Sequence, residues 1–169
     1  MVTLKQMIRQ FKQKDYQSFD IFYNQTKQKV FFAVINIIKD ESLVDDVMQE
    51  TYLKFLKNID KVKSDGNVSA YLQRIARNLA IDLYNQRKKE VYGNEIFETI
   101  PAEEEKHQED IFEILDMLES DEKEVVSLHI INDLKFREIA DMMDKPLGTV
   151  LWLYQKALKK LKEKVGDYI

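Results

Sequence analysis

Three carboxylates crowd less than two turns of a predicted helix: Asp45, Asp46 and Glu50 in "ESLVDDVMQETYLKFLKNI", residues 41–59. Asp46 and Glu50 stand at i and i+4, on one face, where like charges repel slightly on an isolated helix. Such a pair is compatible with metal binding, with general acid–base work, or with the docking of a basic partner helix. The metal reading has no histidine nearby and too few ligands. The acid–base reading has no pocket or third group to complete it. On a helical wheel Val44, Val47, Met48, Thr51 and Phe55 fall inward, while Asp46, Gln49, Glu50, Leu53 and Lys57 fall outward. The outward set is either a plainly solvated face or an acidic docking face with Leu53 at its centre. His107 and His129 lie far apart, in neither a ligand nor a base context, and both read as structural.

A second chemistry-bearing group lies in "SAYLQRIARNLAIDLYNQRKK", residues 69–89. At about 100° per residue, Leu72, Ile75, Ala76, Leu79 and Leu83 form a core stripe. The opposite sector holds Arg74, Arg77, Asn78, Ile81, Tyr84, Asn85 and Lys88. Lysine and glutamate would suffice for a face that only meets water. Arginine adds a planar fork that grips phosphate and stacks on bases. Asparagine reads base edges, and tyrosine and isoleucine stack on or wedge against bases. The combination suits a strand with exposed bases better than an intact duplex. The alternative is an ordinary surface helix, or one covered by a neighbour.

The third group is "FREIADMMDKPLGTVLWLYQKALKKLKE", residues 136–163. A short helix with Ile139, Ala140 and Met143 inside, a break at "DKPLG" and a second helix make a helix-turn-helix pattern. On the second helix Val150, Tyr154, Ala157 and Leu161 point in, with Leu158 at the margin. Trp152, Gln155, Lys156 and Lys159 point out. Thr149 stands where a hydroxyl caps the helix or meets a phosphate. A helical hairpin with a cationic end is the alternative.

The elements that carry these groups are helical throughout. The chain has 169 residues, 44% of them hydrophobic and a third charged, with four glycines and two prolines. That supports one ordinary domain or two small ones, and favours helix over sheet. There is no cysteine, hence no disulfide, zinc knuckle or thiol nucleophile. The N-terminus lacks the apolar core of a signal peptide. The longest apolar run, "VFFAVINII", is interrupted by Asn36 and too short to span a bilayer. A cytoplasmic protein, not inserted in a membrane, is expected. Residues 90–109 lose the helical period and carry an acidic run, which predicts an extended linker between helical domains at 1–89 and 110–169. Within the second domain Ser120 is the expected N-cap of "ESDEKEVV".

Net charge is −4, but its distribution is uneven. Residues 61–89 hold seven basic residues against two acidic, residues 90–124 two against fourteen, and residues 145–164 six against one. Two basic blocks flanking an acidic one fit a nucleic-acid partner despite the overall sign.

The ordered motifs "DDVMQETYLKF", "YLQRIARNLAIDLYNQRKK" and "FREIADMM-DKP-LGTV" resemble the sigma factors of bacterial RNA polymerase, and among them the short extracytoplasmic-function (ECF) type. The resemblance spans about residues 8–163. It implies an all-α chain of two small helical domains, the second a helix-turn-helix. Neither cofactor, metal nor small-molecule substrate is implied, and no enzymatic activity. Asp46, Gln49, Glu50 and Leu53 would dock on a coiled coil of the largest polymerase subunit. The loop "KVKSDGNVS" and the helix after it would melt the minus-ten promoter element and capture flipped-out bases. That assigns Lys63, Asn67, Arg74, Arg77, Asn78, Ile81, Tyr84 and Lys88 to DNA. The second domain would read the minus-thirty-five element through Lys145, Thr149, Trp152, Gln155, Lys156 and Lys159, and touch the polymerase flap. An anti-sigma factor is implied by analogy with the group.

Two departures from the family pattern stand out. Asp144 occupies the turn position where glycine is common, and Lys145 follows it where an apolar residue is common. Leu151, Trp152 and Leu153 replace the frequent Lys, Ser and Arg, which removes two expected contacts. Specificity there rests on Gln155, Lys156 and apolar contact with thymine methyls, or the surface also binds protein. Three rival functions remain on sequence grounds. They are a stand-alone helix-turn-helix regulator, a helical enzyme using Asp45, Asp46 and Glu50 as metal ligands, and an interaction module built on the acidic stretch and Trp152.

Overall fold

A computed structural model describes residues 2–91 and 109–165, and among these every regular element is helical. The chain divides into two units, with the boundary between Thr99 and Ile100. Most of the stretch expected as a linker, and His107 with it, lies outside the described residues. At its start, however, helix continues through Glu90 to Val91.

The first unit contains α1 (Leu4–Lys12), α2 (Phe19–Ile35), α3 (Glu41–Lys57) and α4 (Val68–Val91), with one 3-10 turn at Ile59–Lys61. Thr3 starts α1 by accepting the Gln6 amide at 3.3 Å while the Gln6 side chain accepts the Thr3 amide at 2.8 Å, a reciprocal cap. Asp40 caps α3 by accepting the Ser42 amide at 3.1 Å. The helix α2 buries Phe22, Thr26, Val30, Phe32, Ala33 and Val34, while Asp20, Asn24, Gln25, Lys27 and Gln28 face solvent. It packs on α1, α3 and α4. Asn36 ends it by donating its side-chain amide to the Phe32 carbonyl at 3.0 Å.

Aromatic rings join these helices. Phe22 stacks on Phe55 with centroids 5.3 Å apart and meets Phe11 edge-on at 5.3 Å. Tyr52 meets Phe22 and Phe19 edge-on at 6.2 and 6.0 Å. Each such pair adds about 0.5–1.5 kcal/mol beyond its buried area. The Tyr52 hydroxyl lies 2.8 Å from Thr26 Oγ1, which itself donates to the Phe22 carbonyl at 2.8 Å. Burial pushes the Tyr52 phenol up to about 12.

The second unit contains α5 (Glu109–Asp116), α6 (Ser120–Val126), a π-turn at Ser127–Ile131, α7 (Phe136–Met143) and α8 (Leu147–Val165). Glu119, not Ser120, stands at the N-cap of α6; its amide donates to Glu122 Oε2 at 3.2 Å. The π-turn is closed by the Asn132 amide on the Ser127 carbonyl at 3.1 Å. His129 has the structural role expected of it. Its ring stacks on Phe136 at 4.1 Å, meets Tyr154 edge-on at 5.1 Å, and places Nδ1 2.8 Å from the Leu134 carbonyl oxygen. Between α7 and α8, Asp144 takes the left-handed conformation at φ 52°, ψ 45°. Aspartate tolerates that region better than most residues, so the turn forms without glycine. The next amide, of Lys145, folds back on the Ala140 carbonyl at 3.0 Å.

Tyr52→Phe tests the inter-helix hydroxyl contact. Loss of the hydrogen bond costs about 1 kcal/mol, a fall of about 4–8 °C in the melting temperature of a unit this size. Because the folded phenol titrates above the unfolded one, its contribution is full below about pH 10 and fades as pH rises towards the folded value. Circular-dichroism melts from neutral to alkaline pH therefore show the gap between wild type and variant closing as pH increases.

Candidate nucleic-acid interface

The helix α3 buries Val44, Val47, Met48, Thr51 and Phe55 as its period predicts, and Tyr52 in addition. Asp46, Gln49 and Glu50 are exposed, and Leu53 is 63% exposed among them. Asp45 is exposed beside them, but no cluster of three acidic, histidine or cysteine side chains among the described residues is arranged to hold a metal.

The helix α4 lies against both α2 and α3. Leu72, Ala76, Ala80 and Gln73 are fully buried, whereas Ile75, Leu79 and Leu83 are half-buried at the edge of the core. The buried arc is thus rolled by about 50° from the expected leucine stripe. The small Ala76 and Ala80 take the enclosed positions and the larger leucines flank them. Gln73 is accommodated by donating Nε2 to Ser69 Oγ at 3.0 Å. The roll brings Arg77 and Ile81 into half-buried positions on the margin, while Arg74, Asn78, Tyr84, Asn85 and Lys88 stay exposed. The loop before α4 places Lys63 in solvent. Asn67 has a structural task there: Oδ1 accepts the Ala70 amide at 3.0 Å and starts the helix. Lys61, Lys63, Gly66, Asn67 and Tyr71 border a shallow pocket of about 260 Å³ between this loop and α4.

In the second unit α7 buries Ile139, Ala140 and Met143, and Met142 with them. On α8, Val150 and Ala157 are fully buried, Leu153 nearly so, and Tyr154 and Leu161 half-buried. Trp152, Gln155 and Lys159 are exposed as expected, with Trp152 at 59%. Thr149 is exposed within the first turn, since α8 already begins at Leu147, so the expectation that it caps the helix is corrected.

Two expected DNA contacts are engaged inside the unit. Lys145 Nζ is 3.0 Å from Asp121 Oδ2. Lys156 is half-buried, its Nζ 2.9 Å from Glu122 Oε1 and 5.1 Å from the centre of the Trp152 ring. Lys160 reaches the other oxygen of the same carboxylate at 2.8 Å and Glu119 at 3.2 Å. The Glu122 side chain is wholly shielded from solvent. Burial alone would raise its carboxyl; the hydrogen bonds from Lys160, Lys156 and the Glu119 amide outweigh that and hold it below its ordinary value. Lys160 is held above its ordinary value, chiefly by the hydrogen bond to Glu122. This carboxylate escaped the sequence reading because its partners stand far away along the chain. The only local signal was an acidic first turn on α6.

The chain matches the family model "Sigma-70 region 2" over residues 22–90 and "Sigma-70, region 4" over residues 108–161. It is 27% identical to the RNA polymerase sigma factor SigV of Bacillus subtilis over 139 residues, covering 80% of this chain and 84% of that one. It is 22% identical to the ECF RNA polymerase sigma factor SigW of the same organism, covering 98% of each. In fold it is similar to the sigma factor RpoE of Bartonella quintana, solved with the anti-sigma factor NepR. The TM-score is 0.75 at 19% identity, over 89% of this chain and 98% of that one. It is also similar to CnrH, solved with the cytosolic domain of CnrY, at TM-score 0.70 and 20% identity over 97% of each chain.

Glu122→Gln tests the carboxylate cluster. A depressed folded value means that the charge contributes stability above the ordinary glutamate range and loses it as pH falls through the folded value. The variant melts lower than wild type near neutral pH, and the difference closes in acid, below about pH 4. Fluorescence of Trp152, the sole tryptophan, follows the second unit alone.

Proposed function

The chain belongs to the sigma factors of bacterial RNA polymerase, of the ECF type, and we propose that its first unit grips polymerase and promoter on separate faces of one helical body. It is an initiation factor that binds core RNA polymerase and directs it to specific promoters; its family consists of non-enzymatic regulators. The residue assignments are our reading. Asp46, Gln49, Glu50 and Leu53 dock on a coiled coil of the largest subunit. The observation that carries this is Leu53, 63% exposed on the face that also carries Asp46, Gln49 and Glu50. An uncovered leucine next to exposed acids suits a basic, partly apolar partner helix better than it suits water.

Lys63, Arg74, Arg77, Asn78, Ile81, Tyr84 and Lys88 engage the minus-ten element. Exposed Tyr84 offers a stacking plane, and Arg74 and Lys88 offer phosphate contacts. The pocket between the loop and Tyr71 supplies a recess for an extruded base, with Asn67 at its rim. Base stacking on an aromatic offsets the few kcal/mol that unstacking costs. In the second unit Thr149, Trp152, Gln155 and Lys159 face the minus-thirty-five element. Lys145 and Lys156 sit at its edge, already paired with acids. Residues 1–89 and 110–169 form the two functional domains, with 90–109 as linker. The chain acts in the cytoplasm; no helix among the described residues is long and apolar enough to cross a membrane. An anti-sigma factor, as seen with RpoE of Bartonella quintana, is the proposed inhibitory partner. A stand-alone regulator is not favoured, because it leaves the region 2 match without a role.

Asp46→Arg or Glu50→Arg is expected to abolish co-elution with core polymerase on gel filtration while the melting temperature stays within a few degrees of wild type. Unchanged co-elution would remove the docking role. Tyr84→Ala, with one stacking plane lost, is expected to lower open-complex formation by about tenfold. Permanganate reactivity of thymines near the start site reads this, and closed-complex binding to the intact duplex should remain near wild type.

A further inference from the structure

From Thr149 to Lys159 the exposed side of α8 carries a single unengaged cation, Lys159. Thr149, Leu151, Trp152, Gln155 and Lys159 are exposed, and Lys156 is drawn aside onto Glu122. Moving Lys156 to a DNA phosphate would strip a fully shielded carboxylate of one of its two ammonium partners, which is costly. Lys156 therefore stays, and its ammonium lies against the indole at 5.1 Å from the ring centre. The result is an indole with an ammonium over its ring and more than half of its surface exposed. Leu151 beside it is 39% exposed. In the major groove only thymine offers a methyl group, and it is read by apolar contact.

We propose that Trp152, supported by Leu151, is the specificity determinant of the second unit and reads thymine C5 methyl groups in the minus-thirty-five element, with Glu122 as the positioning residue that keeps Lys156 on the indole. This rests on the reading of α8 as the helix that enters that element. A protein partner for Trp152 is the competing use. DNA is favoured because Trp152 shares its face with Thr149 and Gln155, groups suited to phosphate and base edges.

The test uses holoenzyme assembled from core polymerase and the full chain. A promoter is selected by run-off transcription from a library randomised over the minus-thirty-five region, and each thymine in that region is then replaced by deoxyuridine, which removes only the methyl. Wild-type holoenzyme should lose about fourfold in binding for each methyl under the indole. Trp152→Ala should bind the thymine promoter more weakly and show no preference between thymine and deoxyuridine. Lys156 Nζ also lies 3.6 Å from Glu119 Oε2. The double variant Glu119→Gln/Glu122→Gln should therefore release Lys156 to the DNA backbone, shrink the thymine preference, and steepen the logarithmic salt dependence of binding by about 0.9. A merely structural role for Glu122 would weaken binding without steepening that slope. A selected element without thymine, wild-type indifference to deoxyuridine, or a Trp152→Ala variant that keeps the preference overturns the proposal. So does a Trp152→Ala variant with unaltered promoter use. A nuclease footprint separates the two levels. Protection of the minus-thirty-five region with any of these failures counts against Trp152 alone. No protection there counts against the reading of the whole unit.

Discussion

The roll of α3 about its own axis decides which groups this chain shows to its surroundings, and that roll is set by Tyr52. Its ring fills the space among Phe19, Phe22 and Tyr23, and its hydroxyl meets Thr26 across the helix interface. Turning α3 enough to hide Leu53 would expose Tyr52, the neighbouring residue, and break that buried contact. At about 100° per residue, Val44, Val47, Met48, Thr51, Tyr52 and Phe55 share one buried arc, and Leu53 falls on the opposite side. The exposure of Leu53 follows from what lies behind it. A hydrophobic side chain in water would gain by burial, but the core has already committed that helix face to a larger and better-satisfied group.

A related constraint governs the second unit, with charge in place of rings. Glu122 is enclosed between α6 and α8, and an enclosed carboxylate needs its cations. Lys156 and Lys160 supply them, and Asp121 takes Lys145 in the same region. The basic block of residues 145–164 is therefore less available than its composition suggests. Together with a net charge of −4 this leaves little long-range pull on DNA. A subunit that binds promoters only weakly by itself and gains its register from polymerase fits that balance. On the proposed reading of α8, the arrangement separates the specific from the electrostatic part of recognition: the cations hold the unit together, and the uncovered hydrocarbon is left to discriminate.

What the sequence made legible was periodic and local. The inner face of α3 follows from residues spaced by three and four, and the outer acids follow as their complement. The helix-turn-helix follows from Ala140, the break at Asp144 and the hydrophobic period after it. The less legible features depend on partners far along the chain. Tyr52 is ambivalent by type, and its burial depends on Thr26 of another helix. Gln73 reads as surface until Ser69 and two neighbouring helices enclose it. The pairing of Lys156 and Lys160 with Glu122 joins segments more than thirty residues apart. A helical wheel also assumes one contacting neighbour. With α2 and α3 both against α4, the buried arc shifts towards the alanines, and Arg77 and Ile81 move to its edge.

Exposed apolar groups are common on proteins and mean little one at a time. Ile21, Ile130 and Tyr16 are exposed here as well, and no role follows for them. Leu53, Tyr84 and Trp152 differ in their company. Leu53 shares its face with Asp46 and Glu50, Tyr84 shares a face with arginine and asparagine, and Trp152 lies beneath a lysine that a buried acid holds in place. On the proposed reading, the polar neighbours set the chemistry of what covers the hydrocarbon: a cationic helix, an unstacked strand, a duplex edge. Stability would favour polar groups at all three positions, since none of them contributes to a core. Their retention is intelligible if the state selected is the assembled one, in which these surfaces are covered and the free chain is only the intermediate.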